Sequence, residues 1–301
     1  MGSDPDPHRP DPTELAALVD LLADPDTGIA DSVSARLTQH GEQARPALER
    51  AARDLDALRR SRARRLLEAL ARSATLARLE VLAGRRVFDL EQGLSVLGEL
   101  AGTPEEVRSS LHLLDDWSER VVAHINSGAE PATGFDRPMA LVEILAGEVG
   151  LSGAHDDYHH PDHVHLHRTI ERRRGLPLTL TAIYMFVARR AGLRATPVAL
   201  PGHVLLRLHS ENRSMLVDPF DAGRVRTRKD CLQYLTERGL ALRPDWFADA
   251  TDEAMFQRQL VNLAHSHRLR GRSAEAEELM RVASIVARGR GLHPAADPES
   301  A

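Results

Sequence analysis

The chain has 301 residues, enough for one large domain or two small ones. Hydrophobic residues make up 42% and charged residues 28%, which is typical of a globular protein, and the net charge of −5 argues against nucleic acid as the main partner. A single cysteine excludes an internal disulfide framework, and no apolar run reaches the roughly 20 residues that would span a bilayer.

These features predict a cytoplasmic protein that binds neither nucleic acid nor membrane. The first residues lack the apolar region of a signal peptide, and a lone cysteine fits a reducing compartment. Aromatic residues are only 4% of the chain, so the core must consist mainly of Leu, Ala and Val. Such a composition favours helices.

The N-terminal part of the chain predicts a tail followed by helices. Residues 1–12 are acidic and proline-rich, which is typical of a disordered tail. From 13 to 150, apolar residues recur at helical spacing between Asp-Pro and Gly breaks. We therefore expect an N-terminal helical region over residues 13–150.

Residues 155–167, HDDYHHPDHVHLH, hold six histidines in thirteen positions. Such a cluster could bind a metal ion, and His163 and His167, at i and i+4, are the best-spaced pair. A metal site also needs ligands that converge with fixed geometry, so the competing interpretation is a histidine-rich turn at the surface. We prefer the surface turn, and no cofactor is predicted.

Residues 172–224 predict one helix followed by short strands. Pro177 suits the first position of a helix, because proline lacks an N–H group and has its φ angle already fixed. Apolar residues then recur at helical spacing as far as Gly192, which ends the helix.

Three short β-type runs follow this helix. The turn Pro201-Gly202 joins the first two runs directly, so they should pair as neighbours. His203 begins the second run, and Asp218 ends the third. The runs are residues 198–200, 204–208 and 215–217.

A helix followed by an antiparallel sheet, with His and Asp at strand ends, resembles the core of the papain and transglutaminase superfamily. The segments GLPLTL, ARRAGL, LPGHVLLR and VDPFDAGR are similar, more narrowly, to the bacterial SirB-type transglutaminase-like subfamily. So are DDYHHPDHVHLHRTIERRRG and FDLEQGLSVLGEL upstream, and the resemblance covers roughly Leu15 to Ala287. It implies an α+β, mostly helical fold built on one helix and a small antiparallel sheet.

The resemblance also implies where a catalytic site would lie. In active relatives a cysteine stands at the start of the helix, and a histidine and an aspartate on successive strands support it. His203 and Asp218 match the supporting positions, but the alignment places Pro177 where the cysteine should be. Thr179 is the nearest hydroxyl, although it could instead bond to the backbone.

Further residues are expected to bind a ligand or to pack. Asp157 and Tyr158 fit an Asp-Tyr turn of the subfamily, and together with Pro177 and Arg224 they are the candidate binding residues. Cys231 follows Asp218 by 13 residues on another predicted helix. We expect it to lie in the wrong part of the fold for a nucleophile and to act as a packing residue.

The rest of the chain completes the predicted domain organisation. The transglutaminase-like core is expected over residues 151–248. Residues 249–288 predict two antiparallel helices around a glycine turn, which resemble one tetratricopeptide-type hairpin. Residues 289–301 predict a tail.

Three functions are compatible with these patterns. The first is a catalytically inactive transglutaminase-like module that binds a protein or peptide. The second is a hydrolase or acyltransferase with a nucleophile other than cysteine. The third is a metal-binding protein that uses the histidine-rich turn. His203 and Asp218 could also be only a buried pair that ties two strands together. The sequence does not predict the oligomeric state.

Overall fold

The computed structural model describes residues 12–127, 135–211, 213–240 and 243–290. The predicted tails, 1–12 and 289–301, lie largely outside these ranges. The chain forms two compact units, Met1–Ala77 and Arg78–Ala301. The domain boundaries predicted at 150 and 248 stay a prediction.

The first unit is helical. Its apolar core is built around Leu22, Leu37 and Leu48, none of which is exposed. Asp26 caps the second helix by accepting hydrogen bonds from the first-turn N–H groups, at 2.8 Å for Gly28. The helices are α1 (Pro12–Leu21), α2 (Thr27–His40), α3 (Arg45–Ala51) and the beginning of α4 (Ala57–Ala83).

The second unit carries the sheet and most of the helices. Asp89 caps α5 by accepting from Gln92 N at 2.9 Å. A π-helical turn, Glu143–Glu148, follows α7. The helices are α5 (Leu90–Gly98), α6 (Pro104–Ser127), α7 (Asp136–Val142), α8 (Leu166–Arg172), α9 (Pro177–Arg190), α10 (Arg228–Glu237), α11 (Asp252–Arg268) and α12 (Ser273–Arg290).

The principal sheet is antiparallel, and its strands follow one another in chain order. Leu200 pairs with His203 across the turn, which confirms the predicted pairing of these neighbours. Gly202 has φ of +72°, a conformation that L side chains rarely adopt, so the turn requires glycine. The strands are β3 (Ala195–Leu200), β4 (His203–Ser210), β5 (Arg213–Asp218) and β6 (Arg224–Arg226). A parallel pair, β1 (Ser152–Gly153) and β2 (Arg174–Gly175), lies apart from this sheet.

Helix α9 is the central element of the second unit. Every residue from Pro177 to Ala188 is buried, including the large rings of Tyr184 and Phe186. Strands β3 and β4 pack against it. A helix that is apolar on all sides must be covered on all sides, and the sheet and the neighbouring helices supply that cover. The prediction of a mostly helical α+β fold is thereby confirmed.

Helices α11 and α12 pack against each other across a turn at Gly271, which has φ of +70°. Phe256 of α11 contacts Phe88, with ring centroids 4.8 Å apart. The likeness of this pair to a tetratricopeptide hairpin stays a prediction. Across the described ranges, no helix has both the length and the apolar character needed to cross a membrane.

Candidate functional site

His203 and Asp218 lie at the same end of the two central strands of the sheet and are hydrogen-bonded. Strand β4 begins at His203 and the antiparallel strand β5 ends at Asp218, so the two side chains meet. His203 Nε2 is 2.9 Å from Asp218 Oδ1. An ionised carboxylate can only accept, so Nε2 donates in this hydrogen bond, and in a neutral ring the acceptor nitrogen would be Nδ1. In an active enzyme, that nitrogen would serve as the base.

The carboxylate of Asp218 is buried and well supported. It is 3% exposed and accepts from Arg226 Nε and Nη2 at 3.1 and 3.0 Å, beside its bond with His203. The N–H groups of Phe220 and Asp221 donate to its other oxygen at 3.2 and 3.3 Å. Burial alone would raise the pKa of Asp218, but the bonds and charges of His203 and Arg226 outweigh burial and lower it. Asp218 is therefore anionic at neutral pH.

The start of α9 faces the same region. Pro177 occupies the first helical turn, and no side chain caps this N-terminus at Leu176. Pro177 and His203 both line a cavity of about 480 Å³, called here the first cavity. The structure therefore brings the proline at the expected nucleophile position and the supporting histidine to one cavity. Proline offers no atom that could attack a carbonyl group.

The first cavity combines aromatic, basic and apolar side chains. The pKa of Tyr158 is raised by burial, so its phenol stays neutral. No aspartate or glutamate of the described ranges lines this cavity. Its walls are formed by Tyr158, His159, Leu176, Pro177, Leu178, Ala199, Leu200, Pro201, Gly202, His203, Val204, Arg238, Trp246, Arg258, Asn262 and His265.

Thr179 lies in a different environment from His203. Its side chain is fully buried, and its hydroxyl donates to the carbonyl oxygens of His163 and Val164 at 3.1 and 3.3 Å. The same oxygen accepts from Gln259 Nε2 at 3.0 Å. Thr179 is absent from the walls of the first cavity. The hydroxyl thus holds the backbone before α8, as the alternative interpretation of the sequence expected.

Cys231 lies closer to the pair than its place in the sequence indicated. A second cavity, of about 530 Å³, is lined by Cys231, His203, Asp218 and Tyr234 among others. The expectation that Cys231 belongs to a different part of the fold is therefore wrong. Its side chain is nonetheless 3% exposed and packs in an apolar cluster with Leu200. Burial raises the pKa of the thiol, which disfavours the thiolate.

The predicted binding residues divide into two groups. Tyr158 and Pro177 line the first cavity. Asp157 forms an ion pair with Arg270 at 3.0 Å, and Arg224 is exposed and lies 3.5 Å from an Asp221 oxygen. Asp157 and Arg224 line neither cavity. Ligand contact by these two stays a prediction without support from the cavity walls.

The interpretation of residues 155–167 as a surface turn is wrong for the second half of the segment. His155 is exposed, whereas His163, His165 and His167 are 9%, 3% and 2% exposed. Burial is the largest cause that lowers the pKa of His167. Val164 and Leu166 between them are buried as well, so both faces of the segment are covered at the start of α8.

A metal centre at His163 and His167 finds no support in this geometry. Within the ranges that the structure describes, no group of three or more His, Cys, Asp or Glu side chains is arranged to hold a metal ion. His163 uses its carbonyl oxygen to accept from Thr179 and from Leu176 N at 3.1 Å in each case. The segment is a structural support for the beginning of α9.

Several residues of the two cavities were not predicted from the sequence. Arg226 reaches Asp218 from the next strand, while Arg258 and Trp246 reach the first cavity from α11 and from the 3₁₀ turn Pro244–Phe247. The only sequence signal for Arg258 is its position as the one charged residue within the segment MFQRQLVNL.

Comparisons with known proteins agree with this architecture. A UPF0162 protein of Xylella fastidiosa (strain Temecula1) is 36% identical over 154 residues, which are 51% of this chain and 52% of that protein. Protein SirB1 of Salmonella typhimurium is 30% identical over 82 residues, or 27% of this chain and 30% of SirB1. F-box only protein 21 of Mus musculus is 30% identical over 104 residues, or 32% and 16% of the two chains.

The matches are partial in length. The chain spans about half of the UPF0162 relative. No solved structure matches the chain significantly. The family model described as the transglutaminase-like superfamily matches residues 108–261, a range that includes α9, β3 to β6, His203 and Asp218. The chain therefore belongs to the transglutaminase-like superfamily, and its relatives include proteins of the SirB type.

Proposed function

We propose that this protein is a catalytically inactive transglutaminase-like module that binds a peptide or a partner protein in the first cavity. The observation that supports the proposal is that Pro177, which the resemblance aligns with the nucleophile position, lines one cavity with His203, and His203 is hydrogen-bonded to Asp218. Proline preserves the helix start and removes the reacting atom. The architecture of the site can therefore survive the loss of its chemistry.

Neither of the other candidate nucleophiles is suited to replace the cysteine. The Thr179 hydroxyl is buried and already bonded to backbone carbonyl groups. Burial is the largest cause that raises the pKa of the Cys231 thiol, and it outweighs the opposing charge of Arg226. Because the thiolate is the attacking species, a raised thiol pKa opposes attack. Losing a nucleophile costs on the order of 10⁶ in rate in a well-studied protease.

The first cavity is suited to binding. Its volume of about 480 Å³ falls within the range of small-ligand sites, roughly 300–1,000 Å³. Its wall contains basic and polar side chains together with apolar residues such as Trp246 and Leu200. A short segment of a peptide is the ligand that fits this combination. We keep a cytoplasmic location, a protein or peptide partner and the absence of nucleic acid or membrane binding as parts of the proposal.

The first arm of the test is turnover. The purified parent and a Cys231→Ser variant are assayed with amide, ester and γ-glutamyl substrates, and neither is expected to turn over any of them. Cys231 borders the second cavity together with His203 and Asp218, so this variant addresses the alternative of a residual enzyme. Turnover in the parent that disappears in Cys231→Ser would overturn the inactive assignment.

The second arm is binding. A peptide array is probed with the parent and with two variants. Ala199→Phe fills the first cavity from β3, and Ser214→Phe is the matched control at an exposed position of β5. We expect peptides that bind the parent and Ser214→Phe, and at least tenfold weaker binding to Ala199→Phe. Thermal unfolding checks that both variants fold. Absence of any bound peptide, or equal binding by all three proteins, contradicts the proposal.

A further inference from the structure

The first cavity contains an arginine whose charge is not matched by a carboxylate. Arg258 projects from α11, and its Nη1 donates to the carbonyl oxygen of Leu200 at 2.8 Å. Among the residues that the structure describes, no aspartate or glutamate forms an ion pair with it. Burial lowers the pKa of its guanidinium, while the nearby phenols of Tyr158 and Tyr234 act in the opposite direction. A half-buried cation without a matching anion loses part of its hydration without an ion pair in return, so its retention needs a reason.

The surroundings of Arg258 add positive potential. Arg238 lines the same cavity, with its guanidinium carbon 4.0 Å from the centroid of the Tyr234 ring. The first turn of α9 also forms part of the wall, and this helix has 14 residues and no capping side chain. The unbonded N–H groups of a helix N-terminus attract negative charge. No acidic side chain from the described ranges offsets these groups within the wall.

Part of the wall is apolar. Trp246, Leu200 and Val204 line the cavity beside the basic groups. A small inorganic anion would leave this surface uncovered, whereas a ligand with an anionic end and an apolar body would bury it. The planar fork of a guanidinium matches a carboxylate through two parallel hydrogen bonds.

We propose that the first cavity recognises a carboxylate, with Arg258 as the binding residue and with the apolar body of the ligand against Trp246. The inference rests on the peptide-binding role proposed above and names the chemical group that the cavity recognises. In a peptide, the carboxylate comes from the C-terminus or from an acidic side chain. Both sources present the same group to Arg258.

The test follows the tryptophan fluorescence of the whole 301-residue chain, to which Trp246 of the cavity wall and Trp117 both contribute, during titration with small probes. N-acetyl-leucine presents a terminal carboxylate on an apolar body, and N-acetyl-leucinamide is its uncharged match. N-acetyl-glutamic acid α-amide presents a side-chain carboxylate, and inorganic phosphate presents an anion without an apolar body. We expect saturable binding of at least one carboxylate probe, at least tenfold weaker binding of N-acetyl-leucinamide, and weaker binding of phosphate. The stronger of the two acids identifies the source of the carboxylate.

Variants connect the preference to Arg258. Arg258→Gln is expected to weaken binding of the acid at least tenfold and to leave binding of the amide unchanged. Arg258→Lys is expected to retain part of the preference for the acid over the amide. Arg213→Gln, an exposed arginine over Phe135, is the control and should bind as the parent does. The comparison of acid with amide uses the parent alone, so it decides the question even where Arg258→Gln does not fold.

The outcomes separate this inference from the proposed function. Peptides that bind the parent with equal affinity as acids and amides would overturn carboxylate recognition and leave peptide binding intact. Phosphate binding as tight as that of the acids would make the cavity a general anion site and overturn the assignment. Failure of every probe and every peptide would overturn both proposals.

Discussion

Replacing Asp218 by asparagine is expected to destabilise the second unit far more than the same change at Asp221. Arg226 donates to both carboxylates, at 3.0 Å from Nη2 to Asp218 and at 2.9 Å from Nη2 to Asp221. The side chain of Asp218 is 4% exposed, and that of Asp221 is 46% exposed. The two variants therefore compare a buried and an exposed carboxylate that share one cation.

The magnitude follows from which contacts each variant loses. Asp218→Asn keeps an oxygen for the N–H groups of the following turn, but it removes the charge that faces Arg226 and His203. Removing one partner of a buried ion pair costs about 3–5 kcal/mol. The side chains of Arg226 and His203 are 29% and 16% exposed, so water recovers part of that cost. We expect the free energy of unfolding to fall by about 2–4 kcal/mol in Asp218→Asn and by about 0–1 kcal/mol in Asp221→Asn.

Urea unfolding at neutral pH, followed by circular dichroism, measures both losses. Acid gives an independent check, because the pKa of Asp218 is lowered in the folded protein. A lowered pKa contributes stability above the unfolded value of about 4, and that stability is lost as the pH falls through the folded pKa. The difference in free energy of unfolding between the parent and Asp218→Asn should therefore become smaller in acid. Equal losses at both positions, or a loss below about 1 kcal/mol at Asp218, would refute the reasoning.

Three further predictions concern buried groups. The Tyr184 hydroxyl has no hydrogen-bond partner among the described residues, so Tyr184→Phe should leave the free energy of unfolding in urea unchanged or raise it by up to about 1 kcal/mol. A clear decrease in that free energy would show that the hydroxyl has a partner. Cys231 is 3% exposed and its thiol pKa is raised by burial, so Ellman's reagent should react at least 100-fold more slowly in the native than in the unfolded chain; comparable rates would contradict its packing role. Calorimetric titration with zinc should give no binding heat, and heat that disappears in a His163→Ala, His167→Ala variant would restore the metal interpretation.

The pairing of His203 with Asp218 was implied by the resemblance to the transglutaminase-like superfamily, and local features of the chain agree with it. A Pro201-Gly202 turn has few conformations, and it fixes the register of β3 and β4. Because β4 and β5 are adjacent and antiparallel, the start of β4 and the end of β5 lie side by side at the same end of the sheet. The helix start at Pro177 carries its own signal in the proline. Each of these features depends on residues close together in the chain.

The remaining features depend on packing between distant segments. Arg258 lies 58 residues after Leu200, whose carbonyl oxygen it contacts, and helical spacing does not say which cavity an arginine enters. Cys231 was misplaced because its distance along the chain was taken for distance in space. His163 and His167 were misplaced because a histidine-rich turn was expected to lie at the surface, whereas here the start of α8 is covered by tertiary contacts. Sequence patterns describe elements better than they describe which elements meet.

The most direct test of the central claim restores the missing atom. Cysteine is introduced as Pro177→Cys in a Cys231→Ser background, and the pH dependence of its alkylation by iodoacetamide gives the pKa of the new thiol. If Pro177 occupies the nucleophile position beside a retained His203–Asp218 pair, the pKa should lie at least one unit below the ordinary value of about 8.5. It should return towards that value when His203→Gln is added. An ordinary thiol pKa that does not respond to His203 would contradict the claim that the site has lost only its nucleophile.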